Sequence, residues 1–186
     1  AVAALAYRRR TGRGQYIDLS ELETTINFLA PVLLDYAVNG RDTRRIGNRC
    51  AYAAPHGAYP CRGNDSWCAI AVFTDEEWEA FCRCLGDASL IKRAEFNTLA
   101  ARKQNEDELD RLVSEWTKVR SSEEVMKTLQ TAGVPAGIVQ DGPGLVADQQ
   151  LAYRGHYVTL QHPEIGTHHI PNWAFRLSLT PPNYRE

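Results

Sequence analysis

The side chains best suited to act on a ligand fall in two short stretches. Asn48 and Arg49 form the first. A guanidinium is a rigid fork of donors that matches carboxylate and phosphate, so this pair could hold an anionic group; the plainer reading is that it fastens a linker. Ala54, Pro55, His56 and Gly57 form the second. A glycine so close to a proline marks backbone of unusual φ, or backbone that another group approaches closely. The imidazole beside it either lines a ligand pocket or stands half exposed in a loop.

Other reactive types are less well placed. Asp18 belongs to an alternating stretch that reads as a strand, and Asp35 to a helix, so neither carboxylate suits a nucleophile. His168 and His169 are neighbours on an expected strand and point to opposite faces, which keeps them from sharing a metal. His162, before Pro163, reads as turn chemistry. The five cysteines contain no C-x-x-C pair, so no metal site is expected. Cys82 and Cys84 lie two apart on a helix and do not face each other. Trp67, Trp78, Trp116 and Trp173 read as core residues.

Bulk properties narrow the class. With 21 basic and 23 acidic side chains the net charge is −2, which gives no field that would draw nucleic acid or an anionic membrane. No apolar run reaches the roughly 20 residues of a membrane span. An odd number of cysteines and no secretory signal suit reduced thiols and a cytoplasmic location. The basic residues Arg8, Arg9, Arg10, Arg13, Arg41, Arg44, Arg45 and Arg49 crowd the first quarter, as a solvated face, an interdomain contact or an anion contact would.

Periodicity supplies the elements that must position these groups. Residues 1–10 read as the end of a helix, and 15–19 alternate as a half-buried strand does. Ser20 and Glu23 then form a capping box for a helix running to Asn39. That helix is apolar nearly all round, so it needs cover, here or from another chain, and Pro31 should kink it. Residues 41–55 have no period. Strands are expected at 57–61 and 67–73, joined through Gly63-Asn64-Asp65. A helix follows, capped by Thr74 and Glu77 and ended by Gly86. Another helix is expected at 105–118, with Leu109, Leu112, Val113 and Trp116 on one stripe. Ser121 and Glu124 cap the next, which closes at Gly133. An extended return at 134–139, a short helix within 148–155, and a hairpin of 157–160 with 167–170 complete the pattern. This is an α+β pattern.

Four motifs, in order, carry a resemblance. They are Arg9-Arg10-Thr11-Gly12-Arg13-Gly14-Gln15; Ile46-Gly47-Asn48-Arg49 leading to Ala54-Pro55-His56-Gly57-Ala58-Tyr59-Pro60-Cys61; Gly133-Val134-Pro135-Ala136-Gly137; and Pro171 with Phe175-Arg176-Leu177-Ser178. Together they resemble the family III CoA-transferases, which include formyl-CoA transferase, the carnitine CoA-transferases and α-methylacyl-CoA racemase. The resemblance implies the small α+β domain of such an enzyme (54–171). It also implies a helix–strand–helix remnant of the Rossmann-like α/β large domain (1–40), a linker (41–53) and a return linker (172–186).

Members of that family are roughly twice as long as this chain. The resemblance puts their nucleophilic aspartate ahead of Ala1, so no catalytic residue is expected among these 186. Ala54, Pro55, His56 and Gly57 would form the loop over the acyl site, and Asn48 and Arg49 would contact the cofactor. Coenzyme A and its acyl thioester would be substrates rather than a permanent cofactor. The partners implied are an acyl-CoA, a small carboxylic acid, the missing half of the large domain and a second copy of the chain. The racemase branch carries a glutamate where Thr74 stands here, which favours acyl transfer over racemisation. An acyl-CoA racemase or isomerase, or a non-catalytic assembly module of the same descent, are the alternatives.

Overall fold

In the computed structural model, residues 1–182 and Tyr184 are described; Asn183, Arg185 and Glu186, at the end of the expected return linker, lie outside them. The chain divides into two units, Ala1–Ile46 and Gly47–Glu186. The division falls inside the stretch expected to be a linker, so residues 47–53 go with the second unit.

The first unit is helical. α1 (Val2–Thr11) ends at Gly12, whose left-handed φ of 71° lets its N–H reach the Arg8 carbonyl at 2.8 Å. Arg8, Arg9 and Arg10 fill its last turn, where cations favour the negative end of the helix dipole. The strand expected at 15–19 is absent: Tyr16, Ile17 and Leu19 are exposed and unladdered. An alternating pattern becomes a strand only with a partner to share its ladder, and this unit holds no other strand among the described residues.

The helix expected from 21 to 39 is two helices, α2 (Glu21–Phe28) and α3 (Ala30–Asn39). Pro31 has no N–H to give and its ring clashes with the carbonyl four residues back. The chain therefore breaks at Leu29 and restarts with Pro31 in the first turn, where proline fits. Ser20 accepts from the Glu23 N–H at 3.2 Å, which is one half of the expected capping box. No residue of α1, α2 or α3 is buried.

The second unit is built on a three-stranded antiparallel sheet in the order β1 (His56–Pro60), β2 (Trp67–Ala71), β3 (Ala136–Val139). Strand alternation sends Tyr59, Cys68 and Ile70 inward, and they are buried. Over that face pack α4 (Asp75–Leu85), α6 (Glu106–Thr117) and α7 (Ser122–Thr131). Both expected capping boxes at α4 and α7 are complete. The core joins Trp78 and Phe81 of α4, Leu109, Val113 and Trp116 of α6, and Val125 and Leu129 of α7.

A 3-10 turn (Ala88–Ile91), α5 (Leu99–Gln104) and α8 (Gly142–Ala147) have no counterpart in the sequence reading; each is a turn or so long, too short for a period to register. α9 (Gln149–Tyr153) follows, and then the expected hairpin of β4 (Tyr157–His162) and β5 (Gly166–Pro171). Its strands contribute nothing to the main core. Trp67 and Trp173 are 37% and 60% exposed, which corrects their assignment to the core; Trp67 faces out from β2, and its Nε1–H donates to Asp65.

Burial also sets thiol chemistry. It pushes Cys68 up to about 11 and Cys82 up to about 12, so both stay neutral where an unfolded thiol, ionising near about 8.5, does not. Stability should therefore fall as pH rises from about 8.5 towards those values, because only the unfolded chain gains the charged form. A short iodoacetamide pulse at pH 8.5, read by peptide mass spectrometry, should leave Cys68 and Cys82 unmodified in the native chain and modify both in denaturant. Equal labelling in the two states would mean the core is open.

Candidate functional site

The outer face of the three-stranded sheet carries small side chains through its middle, with His56 at one end and Trp67 and Val139 at the other. Ala71 lies across from His56, Ala69 across from Ala58, and Gly137 across from Ala69 on β3. A Cβ built on Gly137 meets nothing within 4 Å, so this face is open. Together with the segment 47–49 it forms a groove of about 820 Å³, lined by Asn48, Arg49, His56, Gly57, the outward alanines and Pro135–Gly137.

The sequence-predicted residues divide here. Asn48, Arg49, His56 and Gly57 all line the groove. Ala54 and Pro55 do not: they are buried, and their backbone extends the β1–β2 ladder. The Ala54 N–H donates to the Val72 carbonyl at 3.2 Å and the Val72 N–H to the Pro55 carbonyl at 2.9 Å. The expected loop is thus a continuation of the sheet up to His56. Gly57 has no positive φ, and it lies on the inward face; a Cβ there would meet the Tyr59 ring at 3.4 Å. Close approach, the second of the two readings, accounts for it.

His56 is held on two sides. Its Nδ1 lies 2.5 Å from the Asn48 carbonyl. A carbonyl only accepts, so Nδ1 carries the hydrogen. The Phe73 ring meets the imidazole edge-on at 5.9 Å, and Tyr52 stacks on Phe73 at 6.2 Å.

Arg49 is engaged by the start of α6. Its Nη2 lies 2.5 Å from Asp107 and 2.8 Å from Asp110, and its Nε 3.6 Å from Glu106. Asp107, then Asp110, hold the guanidinium above its ordinary range. Asp110 also accepts from the Tyr59 hydroxyl at 2.7 Å; burial first, and this carboxylate second, raise the Tyr59 phenol. Glu106, 6% exposed, takes Lys103 Nζ at 2.6 Å as well. Three carboxylates thus engage Arg49, which ties segment 47–53 to α6; this geometry lends the expected cofactor contact no support. Asp110 and Tyr59 were not singled out from sequence, because a carboxylate on a polar helix face carries no mark of a partner 61 residues away.

The remaining polar groups are occupied locally. Asp35 accepts from Asn39 at 2.6 Å, and Asp18 lies in the irregular stretch before α2. His162 Nδ1 accepts from the Glu164 N–H at 3.2 Å, the turn role expected of it. His169 pairs with Thr159 and His168 with the Gly166 carbonyl. Among the described residues no group of three or more His, Cys, Asp or Glu could hold a metal, and no helix is long and apolar enough to cross a membrane.

A helix-backed antiparallel sheet with a ligand-sized groove on its open outer face defines this α+β domain. The model of CoA-transferase family III matches residues 1–186, and the chain belongs to that family. It is 33% identical over 165 residues to a probable CoA-transferase of Mycobacterium tuberculosis, covering 89% of this chain and 20% of the relative. It is 28% identical to the succinyl-CoA–D-citramalate CoA-transferase of Chloroflexus aurantiacus, covering 97% and 45%. The crystal structure of a CAIB/BAIF family protein from Brucella suis superposes with a TM-score of 0.85 at 28% identity, covering 97% of this chain and 46% of the other. The chain thus spans less than half the length of these relatives.

Proposed function

We propose that this chain carries the small domain of a CoA-transferase, and that the whole enzyme moves CoA from an acyl-CoA donor to a carboxylic acid. The observation behind the reading is the groove. Stretches far apart in sequence, 47–49, 56–58 and 135–137, meet on one open sheet face, and each belongs to a motif on which the family resemblance rests. Residues 1–40 would then be part of the large domain.

The chemistry proposed is nucleophilic catalysis by an aspartate, supplied by the portion of the family's length that precedes residue 1. Its carboxylate attacks the thioester carbonyl, CoA leaves as the thiolate, and a mixed anhydride forms. The thiolate then attacks the aspartyl carbonyl and releases the donor acid, leaving an enzyme–CoA thioester. The acceptor carboxylate repeats the two steps in reverse and departs as its CoA ester. Splitting one hard exchange into easier ones is the benefit of the covalent route. An anhydride hydrolyses readily, so the site must exclude water, and the groove would wall the acyl end. CoA enters and leaves as substrate. Racemisation is less well supported, since Thr74 stands where that branch has its glutamate and caps α4 by accepting from the Glu77 N–H at 3.2 Å.

The test compares this chain with one extended upstream to the relatives' length. With several acyl-CoA donors and acids, the 186-residue chain should give only background and the extended chain should turn over. Transfer by the short chain would refute the placement of the nucleophile. Failure of the extended chain on every pair would favour the non-catalytic assembly module.

A further inference from the structure

We infer that the groove selects an uncharged acyl group and turns away one bearing a second carboxylate. This rests on the reading that the groove faces the acyl end of the substrate. Two independent features carry it.

The first is charge. Among the described residues the groove's lining contains one cation, Arg49, and its guanidinium sits within 4 Å of Glu106, Asp107 and Asp110. Lys103 offsets only Glu106. The Asp107 and Asp110 carboxylates, which stand beside the groove and not in its lining, therefore already exceed what one guanidinium balances, and Arg49 is not free to receive a further carboxylate. The facing residues, Ala58, Ala69, Ala71 and Gly137, offer methyl groups or bare backbone and no donor side chain; Asn48, with an uncharged amide, lies in the lining beside Arg49.

The second is the polarity of His56. With Nδ1–H directed at the Asn48 carbonyl, the tautomer that carries this hydrogen has its lone pair on Nε2. That nitrogen has no partner among the described residues and is not sealed from solvent. A lone pair accepts from a hydroxyl or an amide N–H and repels a carboxylate. The groove thus presents an apolar floor of small residues, bordered by the His56 acceptor and by an arginine already engaged by carboxylates.

The experiment titrates the ¹⁵N-labelled chain with butyryl- and succinyl-N-acetylcysteamine, short thioesters that mimic the acyl end of acyl-CoA, and with N-acetylcysteamine alone. The butyryl thioester should shift the amides of Ala58, Ala69, Ala71 and Gly137 with a Kd at least about tenfold below that of the succinyl thioester. Ala69→Lys, at an exposed position, puts a cation on the floor and should reverse the preference. Equal or tighter binding of the succinyl thioester to the unaltered chain overturns the selectivity and leaves the groove as an acyl site. No shift with either thioester, or the same shifts with N-acetylcysteamine alone, overturns both the selectivity and the acyl reading of the groove.

Discussion

Trp78→Ala should lower the unfolding free energy by about 3–5 kcal/mol, the range for removing a buried large aromatic. Trp78 is 1% exposed. Its ring lies 6.0 Å from Phe81 and 6.3 Å from Phe96, and the Arg102 guanidinium sits 4.9 Å above it. Arg102 is itself 1% exposed, donates to the Phe96 carbonyl and to Asp75, and leaves its Nε without a partner. Removing the indole leaves both a cavity and a buried cation deprived of the π face that offsets its desolvation. Urea unfolding should show a lower midpoint at unchanged m. A loss below about 1 kcal/mol would mean that α4 is not seated on the sheet as described.

The second large effect concerns α2 and α3, whose apolar side chains have no cover in their own unit. Leu22 is 71% exposed, Leu29 49%, Val32 40%, Leu33 50% and Tyr36 62%. Contiguous apolar surface of this kind rarely stays in water. We expect the chain to associate with a second copy through these five residues, giving a dimer or larger assembly at tens of micromolar by light scattering. Leu29→Glu together with Leu33→Glu would set charges in that contact and should yield a monomer. A monomeric unaltered chain would refute the interface. The two substitutions are not expected to unfold the second unit, whose core lies wholly in later residues.

The parts of the fold legible from sequence were those encoded locally. Thr74 with Glu77 and Ser121 with Glu124 announce helix starts because the capping exchange needs only four consecutive residues. The stripe at Leu109, Leu112, Val113 and Trp116 marks the face of α6 that packs on the sheet, since an amphipathic period survives any tertiary context. What depended on distant partners was not legible. Residues 15–19 alternate as a strand should, yet alternation says nothing about whether a neighbouring strand exists. Pro55 and Ala54 were expected in a loop because residues 41–55 show no period and the family resemblance implies a loop there; the structure buries them beside Val72. At the site, His56 was found from its neighbours in the motif. The partners of Arg49, by contrast, come from a helix more than 50 residues on, and no spacing rule links them.

The order β1-β2-β3 has a kinetic corollary. The β1–β2 hairpin is local and can form within about 1–10 μs, but β3 pairs with β2 across the 64 residues, mostly helical, between Ala71 and Ala136. The third strand can join only after that span has been compacted, so it should be among the last elements to acquire native contacts and should carry low φ-values. Pro135–Gly137 supplies one wall of the groove. The groove would then be completed late in folding, and a chain stalled before that step would hold most of its core while having no finished surface to offer a substrate.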